Sequence, residues 1–268
     1  MNRRFFMQTV LTAAFAASMP ARALLLPKSS AFIVAVYPGT GAAEASTYMF
    51  KEAVSPMSEA IAKGIGKKVY MESYRSLALV RSMVANNPAD ALLVPPVIAV
   101  HAMQHGYQPL VRIRDMASGV LIKTKGQTVT RIGMTEPDSW LGAMGANLVT
   151  KHKLATPSML EIVKTQDAVV YLLQQKAVQA AVLRTERANK LIATGEYEIW
   201  QPLVKTPDLT LLIHDKLAAH YAESTRQAML TLPANAIEAL QAVIHVPIKQ
   251  FVPARKEDYA ELSAIVSH

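Results

Sequence analysis

The chain of 268 residues contains no cysteine. That absence removes disulfides, thiol catalysis, Cys-ligated zinc and covalently attached c-type haem at once. Charged residues make up only 18% of the sequence against 51% hydrophobic ones, which excludes a disordered chain and describes a folded one with a sizeable core. No dense basic block with interleaved aromatics occurs, so no nucleic-acid partner is expected. Low-complexity segments and tandem repeats are also missing. No apolar run reaches the roughly 20 residues that a bilayer span requires, so a mature form without a membrane span is expected.

The amino terminus is patterned as an export signal. Arg3 and Arg4 form a charged start, and an apolar stretch follows from Phe5 to Ala17. Pro20 then breaks the segment before the small residues Ala21 and Ala23, an A-x-A cleavage pattern. Residues 1–23 are therefore expected to be a signal peptide, cleaved near Ala23, with the mature protein in the periplasm. Asn2-Arg3-Arg4-Phe5-Phe6-Met7-Gln8 is similar to a twin-arginine signal with Gln8 in place of the usual Lys, so Sec and twin-arginine export both stay open. The formal charge is +8, and loss of Arg3, Arg4 and Arg22 leaves 25 basic against 20 acidic residues, or +5. A mild positive bias suits an anionic ligand, and it suits plain solubility equally well.

Along the mature chain, short apolar runs alternate with amphipathic ones. Strands are expected at 31–37, 68–73, 91–94, 107–113 and 119–123, with helices from Ser55-Pro56 to Lys63, from Ser76 to Ala85 and from Val97 to Gln104. The rhythm restarts after Gly126-Gln127. Strands at 129–134, 158–164 and 178–183 alternate with helices at 140–152, 167–176 and 186–193. Strands at 198–203 and 209–213 and three closing helices (222–232, 235–243, 256–266) follow. Alternation of this kind implies an α/β protein with mostly parallel sheets and right-handed crossovers. The expected order is a first lobe (24–125), a second lobe (126–205) and a return to the first (206–268). Crossings near Lys125 and Thr206 then form a two-stranded hinge.

In open α/β sheets, ligands lie beyond the carboxyl ends of strands, near helix N-termini. Four loops qualify. Tyr37 and Thr40 follow the first strand, and Tyr74, Arg75 and Ser76 follow the second. Ser139 and Trp140 open the second lobe's first helix, and Arg184 and Glu186 follow its third strand. Ser76 and Ser139 are either ligand-binding hydroxyls or plain N-caps. Arg75 and Arg184 are either bidentate grips for an oxyanion or solvated loop cations. Glu186 holds a ligand amine, pairs with Arg184, or is an ordinary first-turn acid. Trp140 stacks on a ligand, closes the pocket, or packs. Tyr37 and Tyr74 are candidate cleft walls. His101 and His105 have a helical metal-ligand spacing, but no neighbouring acid completes a motif, and two solvent-facing histidines are the simpler reading. The 13 Met residues are spread at helical spacing, which suits core packing rather than copper binding. No cofactor and no metal are expected.

Several strings carry a family resemblance. His105-Gly106-Tyr107-Gln108-Pro109-Leu110 is similar to an a-G-Y-x-P-L segment, and Thr135-Glu136-Pro137-Asp138-Ser139 sits where a D-P-x-S turn opens a helix. The stretch from Asp167-Ala168-Val169 through Val178-Gln179-Ala180-Ala181-Val182 is similar to an h-x-A-V-x-A-V-x-x-G-x-V-D-A unit, with Thr185-Glu186 after it. Together they resemble the phosphate/phosphonate-binding family of ABC-importer substrate-binding proteins, over nearly the whole mature chain in order. The resemblance implies a type II periplasmic-binding fold of two hinged lobes. It also implies a monomeric receptor without chemistry, which captures a small anionic, phosphonate-like ligand for an ABC permease. A sensor-kinase periplasmic domain as partner, an accessory protein of the same fold, and an enzyme built on it are the alternatives. The enzyme reading lacks a nucleophile–base pair; His214 beside Asp215 comes nearest to one. The family's helix start runs S-T-S-G, whereas this chain has Ser139-Trp140-Leu141-Gly142, and Gln179 replaces the unit's closing Asp. Those departures leave the ligand's identity open.

Overall fold

The computed structural model describes residues 31–39, 46–86, 88–244 and 246–266. The expected signal segment, its cleavage point and Thr40 lie outside the described residues.

The first sheet is built from β1 (Phe32–Val36), β2 (Val69–Ser73), β3 (Ala91–Val94), β4 (Tyr107–Ile113), β10 (Thr210–His214) and β11 (Phe251–Pro253), in the order β11-β4-β10-β3-β1-β2. The second contains β5 (Gly119–Thr124), β6 (Ile132–Thr135), β7 (Leu160–Val163), β8 (Ala180–Arg184) and β9 (Tyr197–Pro202), in the order β7-β6-β8-β5-β9. Each sheet is mixed rather than mostly parallel. β1 pairs in parallel with β2 and β3, and β6 with β7 and β8. The strands that arrive from the other lobe run the opposite way: β5 is antiparallel to β8, and β10 is antiparallel to β3. A chain that crosses between lobes enters its new sheet from the hinge end, which fixes that direction.

β5 therefore belongs to the second sheet, and the first crossing lies before it, at 114–118, not near Lys125. A run of apolar residues announces a strand but not the strand it will pair with. The second crossing passes Thr206. The two crossings meet as an isolated antiparallel bridge, Ala117 N–H to Thr206 O at 2.8 Å and Thr206 N–H to Ala117 O at 3.3 Å.

Nine helices cover the sheets among the described residues: α1 (Thr47–Ile65), α2 (Leu77–Asn86), α3 (Pro96–Met103), α4 (Trp140–Lys151), α5 (Gln166–Gln174), α6 (Thr185–Ile192), α7 (Asp215–Leu230), α8 (Ala234–Ile244) and α9 (Ala260–Val266). α1 starts eight residues before the expected Ser55-Pro56 entry. Ser46 caps it, accepting from Met49 N–H at 3.2 Å, and Pro56 sits inside the helix. The lost backbone bond is outweighed by an apolar stripe of Phe50, Val54, Met57 and Ile61, all buried. Gly64 does not stop α1; Gly66, at φ +68°, does. At Gly64 the missing side chain lets α7 approach, because a Cβ there would stand 3.1 Å from the Ser224 carbonyl oxygen.

Period-two alternation assigns each face of the sheets. In β3, Leu93 packs with Met57, Leu211 and Leu240 under α1, α7 and α8, while Leu92 and Val94 face the opposite side with Val80 and Ile98. In β5, Leu121 shares a core with Met134, Trp140 and Leu148, while Val120 and Ile122 pack with Val169 and Leu173. α9 packs against both α3 and α4 and so touches each lobe. No described helix is long and apolar enough to cross a membrane.

Candidate ligand cleft between the lobes

The carboxyl ends of β6, β7 and β8 point to one side of the second sheet, and each feeds a helix. Thr135 ends β6, and the turn through Asp138 leads to α4. Lys164 and Thr165 follow β7 and open α5, and Arg184 ends β8 and opens α6. The tip of β1, at Tyr37–Gly39, faces them from the first lobe. Between the two surfaces lies a cavity of about 630 Å³.

Of the expected site residues, Tyr37, Ser139, Trp140, Arg184 and Glu186 line this cavity. Tyr74, Arg75 and Ser76 do not. Tyr74 is half-buried and donates its hydroxyl to Glu72 at 3.4 Å, Arg75 is exposed, and Ser76 offers its carbonyl to Val80 N–H at 3.0 Å at the start of α2.

Ser139 is an N-cap and more. Its hydroxyl accepts from Gly142 N–H at 3.0 Å, donates to the Glu136 carbonyl at 2.8 Å and lies 2.7 Å from the Thr135 hydroxyl. Glu136 O already accepts from Ser139 N–H at 2.9 Å. Rotating the Ser139 proton onto Thr135 therefore leaves no acceptor empty and frees the Thr135 proton for a ligand in the cleft. Gly142 holds this turn tight, because a Cβ there would press into the Glu136 carbonyl. Thr165 caps α5 by accepting from Ala168 N–H at 3.1 Å.

Trp140 is only 4% exposed, and its indole N–H donates to the Thr206 hydroxyl at 2.7 Å. Its ring is thus a wall that fastens α4 to the hinge. Arg184 lies over that ring, 4.4 Å from the centroid, and pairs with Asp208 through two contacts of 2.8 and 3.5 Å. Glu186 pairs with Lys190 at 3.2 Å, not with Arg184.

The charges around the cavity nearly cancel. Arg184 meets Asp208, Arg187 meets Asp167, Lys190 meets Glu186, and Lys249 meets Asp115 at 2.9 Å. Asp138 is engaged from the first lobe by Arg81 at 3.2 Å. Lys164 is the lining cation with no carboxylate partner among the described residues. Burial raises the Tyr37 hydroxyl above its usual 10.0; the Asp138 carboxylate adds to the rise, Arg81 opposes it and Glu136 adds slightly. Thr135 and Asp138 belong to the Thr135–Ser139 string, whereas Lys164, Thr165 and Asp208 carry no motif in the sequence. The rule that strands end at the cleft could have found Thr135 and Lys164. Nothing local marks Asp208 as the partner of Arg184.

Two mixed α/β sheets, two crossing segments and a polar cleft between them define a bilobal solute-binding protein. The chain belongs to the family of periplasmic substrate-binding proteins of ABC phosphonate transporters, whose model matches residues 44–259. This agrees with the family resemblance, and the family is one of transport components that work with a permease rather than of enzymes. No curated protein sequence matches the chain. Among solved structures, PhnD1 from Prochlorococcus marinus in complex with methylphosphonate is similar with a TM-score of 0.64 at 11% identity, over 88% of this chain and 97% of that one. XAC2383 from Xanthomonas citri bound to ATP reaches 0.70 at 12% identity, over 89% and 98%. The binding-protein component of an ABC phosphonate transporter from Pseudomonas aeruginosa reaches 0.60 at 12% identity, over 88% and 85%. At these identities the likeness is one of fold.

Proposed function

We propose that this protein captures a small phosphonate-like oxyanion in the interlobe cleft and presents it to the permease of an ABC importer. One observation carries the reading. The N-termini of α4, α5 and α6 open together on the cleft, where unpaired backbone N–H groups and helix dipoles favour an anion. Lys164 stands beside them without a carboxylate partner among the described residues.

In this reading the Thr135–Ser139 pair donates to one oxygen of the head group. The turn at Lys164-Thr165 supplies the positive charge, and Tyr37 closes the site from the first lobe. Arg184 is not the grip, since its charge is engaged by Asp208 and its face by Trp140. It shapes the wall instead. A cavity of about 630 Å³ is larger than a bare oxyanion needs, so the ligand carries a substituent behind its head group. PhnD1 was solved with methylphosphonate and XAC2383 with ATP, and both ligands present a tetrahedral phosphorus head.

The reading is tested by thermal unfolding of the mature protein with methylphosphonate, phosphite, phosphate, methanesulfonate and amino acids. A ligand at about 100 times its Kd adds about 2.7 kcal/mol. A raised Tm with a phosphorus oxyanion supports it, and silence with every oxyanion while an amino acid binds would refute it.

A further inference from the structure

Arg81 and Asp138 belong to different lobes. Arg81 lies in the middle of α2, which is fixed to the first lobe by the buried Val80, Met83 and Val84. Asp138 lies in the turn between β6 and α4, one residue before the Ser139 cap. Their 3.2 Å ion pair therefore spans the gap between the lobes. It sits at the rim, because Asp138 lines the cavity and Arg81 does not, and both side chains are near half exposure at 40% and 48%.

Tyr37 lies against this pair. Tyr37 is only 2% exposed. The charges of both Asp138 and Arg81 act on it. The guanidinium Nε of Arg81, and the Nε2 of His101 on α3, whose imidazole feels the Arg81 charge, are both buried without a hydrogen-bond partner among the described residues. Arg81 is thus packed in place at its stem while its tip reaches across to the other lobe.

We propose that Arg81 and Asp138 form a charge latch across the mouth of the cleft, which biases the ligand-free protein toward the closed arrangement and must part for ligand to enter. As an exposed pair it contributes little to folding. The open and closed forms of a two-lobed receptor differ little in free energy, so the same small term changes their ratio by about two- to fivefold. Because the pair is exposed to solvent, salt weakens it. Its location beside Ser139 means that the turn proposed to hold the anion is also the turn that the latch pulls on. The latch rests on the receptor reading of the cleft, but its test uses ligand-free protein, so a failed ligand panel leaves it standing.

The absence of cysteine allows clean labelling. Spin labels at Lys51→Cys on α1 and Gln174→Cys on α5, both exposed, report the distance between the lobes. At about 50 mM salt the ligand-free parent should populate the short distance, and Arg81→Gln or Asp138→Asn should shift about two- to fivefold of the ratio toward the longer one. The exchanged pair, Arg81→Asp with Asp138→Arg, should restore the parent distribution. Raising salt to about 500 mM should move the unsubstituted parent the same way, which covers the case of a variant that folds poorly. Identical distributions in parent and Arg81→Gln would overturn the latch, as would a shift that the exchanged pair fails to reverse.

Discussion

Trp140 donates its indole N–H to the hydroxyl of Thr206 at 2.7 Å, joining the first helix of the second lobe to the segment that returns to the first. Both residues are buried, at 4% and 2% exposure, so neither group has water as a substitute partner. The aromatic that breaks the family's hydroxyl cluster is in this way a structural fastening at the hinge.

Trp140→Phe keeps most of the apolar contact but leaves the Thr206 hydroxyl with only its bond to the Pro207 carbonyl. We expect a loss of about 1–2 kcal/mol in urea unfolding, the ordinary cost of one buried hydrogen bond and a smaller ring. Oxyanion affinity should change less than threefold. A large loss of affinity with little loss of stability would instead make the indole a ligand contact.

The Arg184–Asp208 pair is asymmetric. The Asp208 side chain is 8% exposed and that of Arg184 is 29% exposed. Arg184→Met strands a buried carboxylate, whereas Asp208→Asn leaves a guanidinium that water can reach. Breaking a buried pair costs about 3–5 kcal/mol, and the partial exposure of Arg184 places this one toward or below the low end. Unfolding measurements should find Arg184→Met the more damaging single change, with the double variant recovering part of the loss.

His101 supplies a pH dependence. Its imidazole is held below the usual 6.5 first by burial, then by His105 and Arg81. A base that is harder to protonate when folded contributes stability above its unfolded value. That stability is lost as pH falls from about 6.5 through the lowered folded value. Unfolding free energies of the parent should therefore decline over that window, and His101→Gln should flatten the decline. A parent and variant with the same slope would contradict this.

Much of the fold was legible because it rests on local pattern. The strands expected at 31–37, 91–94 and 178–183 appear at 32–36, 91–94 and 180–184. The helix expected from Trp140 starts there behind its Ser139 cap, and the one expected from Glu186 starts one residue earlier, at Thr185. What was not legible depends on partners distant in sequence. β5 has the composition of any buried strand, and only its pairing with β8 and β9 places it in the second sheet. β11 is three residues long and ends in proline, too short for a periodic signal. Pro56 and Gly64 are breakers by propensity, yet packing under α7 and against the first sheet overrode both. At the site, strand-end reasoning reached Tyr37, Ser139, Trp140, Arg184 and Glu186. It could not foresee that Asp208, 24 residues after Arg184, occupies that guanidinium, or that Lys164 is left as the cation without a carboxylate.

The most direct test is a calorimetric titration of the protein from Leu24 onward, and of its Lys164→Ala variant, with methylphosphonate, phosphate and methanesulfonate. A charge-assisted hydrogen bond is worth about 1.5–3 kcal/mol, so the account predicts one oxyanion bound per chain and an affinity about 10- to 150-fold weaker in Lys164→Ala, at unchanged Tm. Equal affinity in the two proteins, or no oxyanion binding in either, would contradict it.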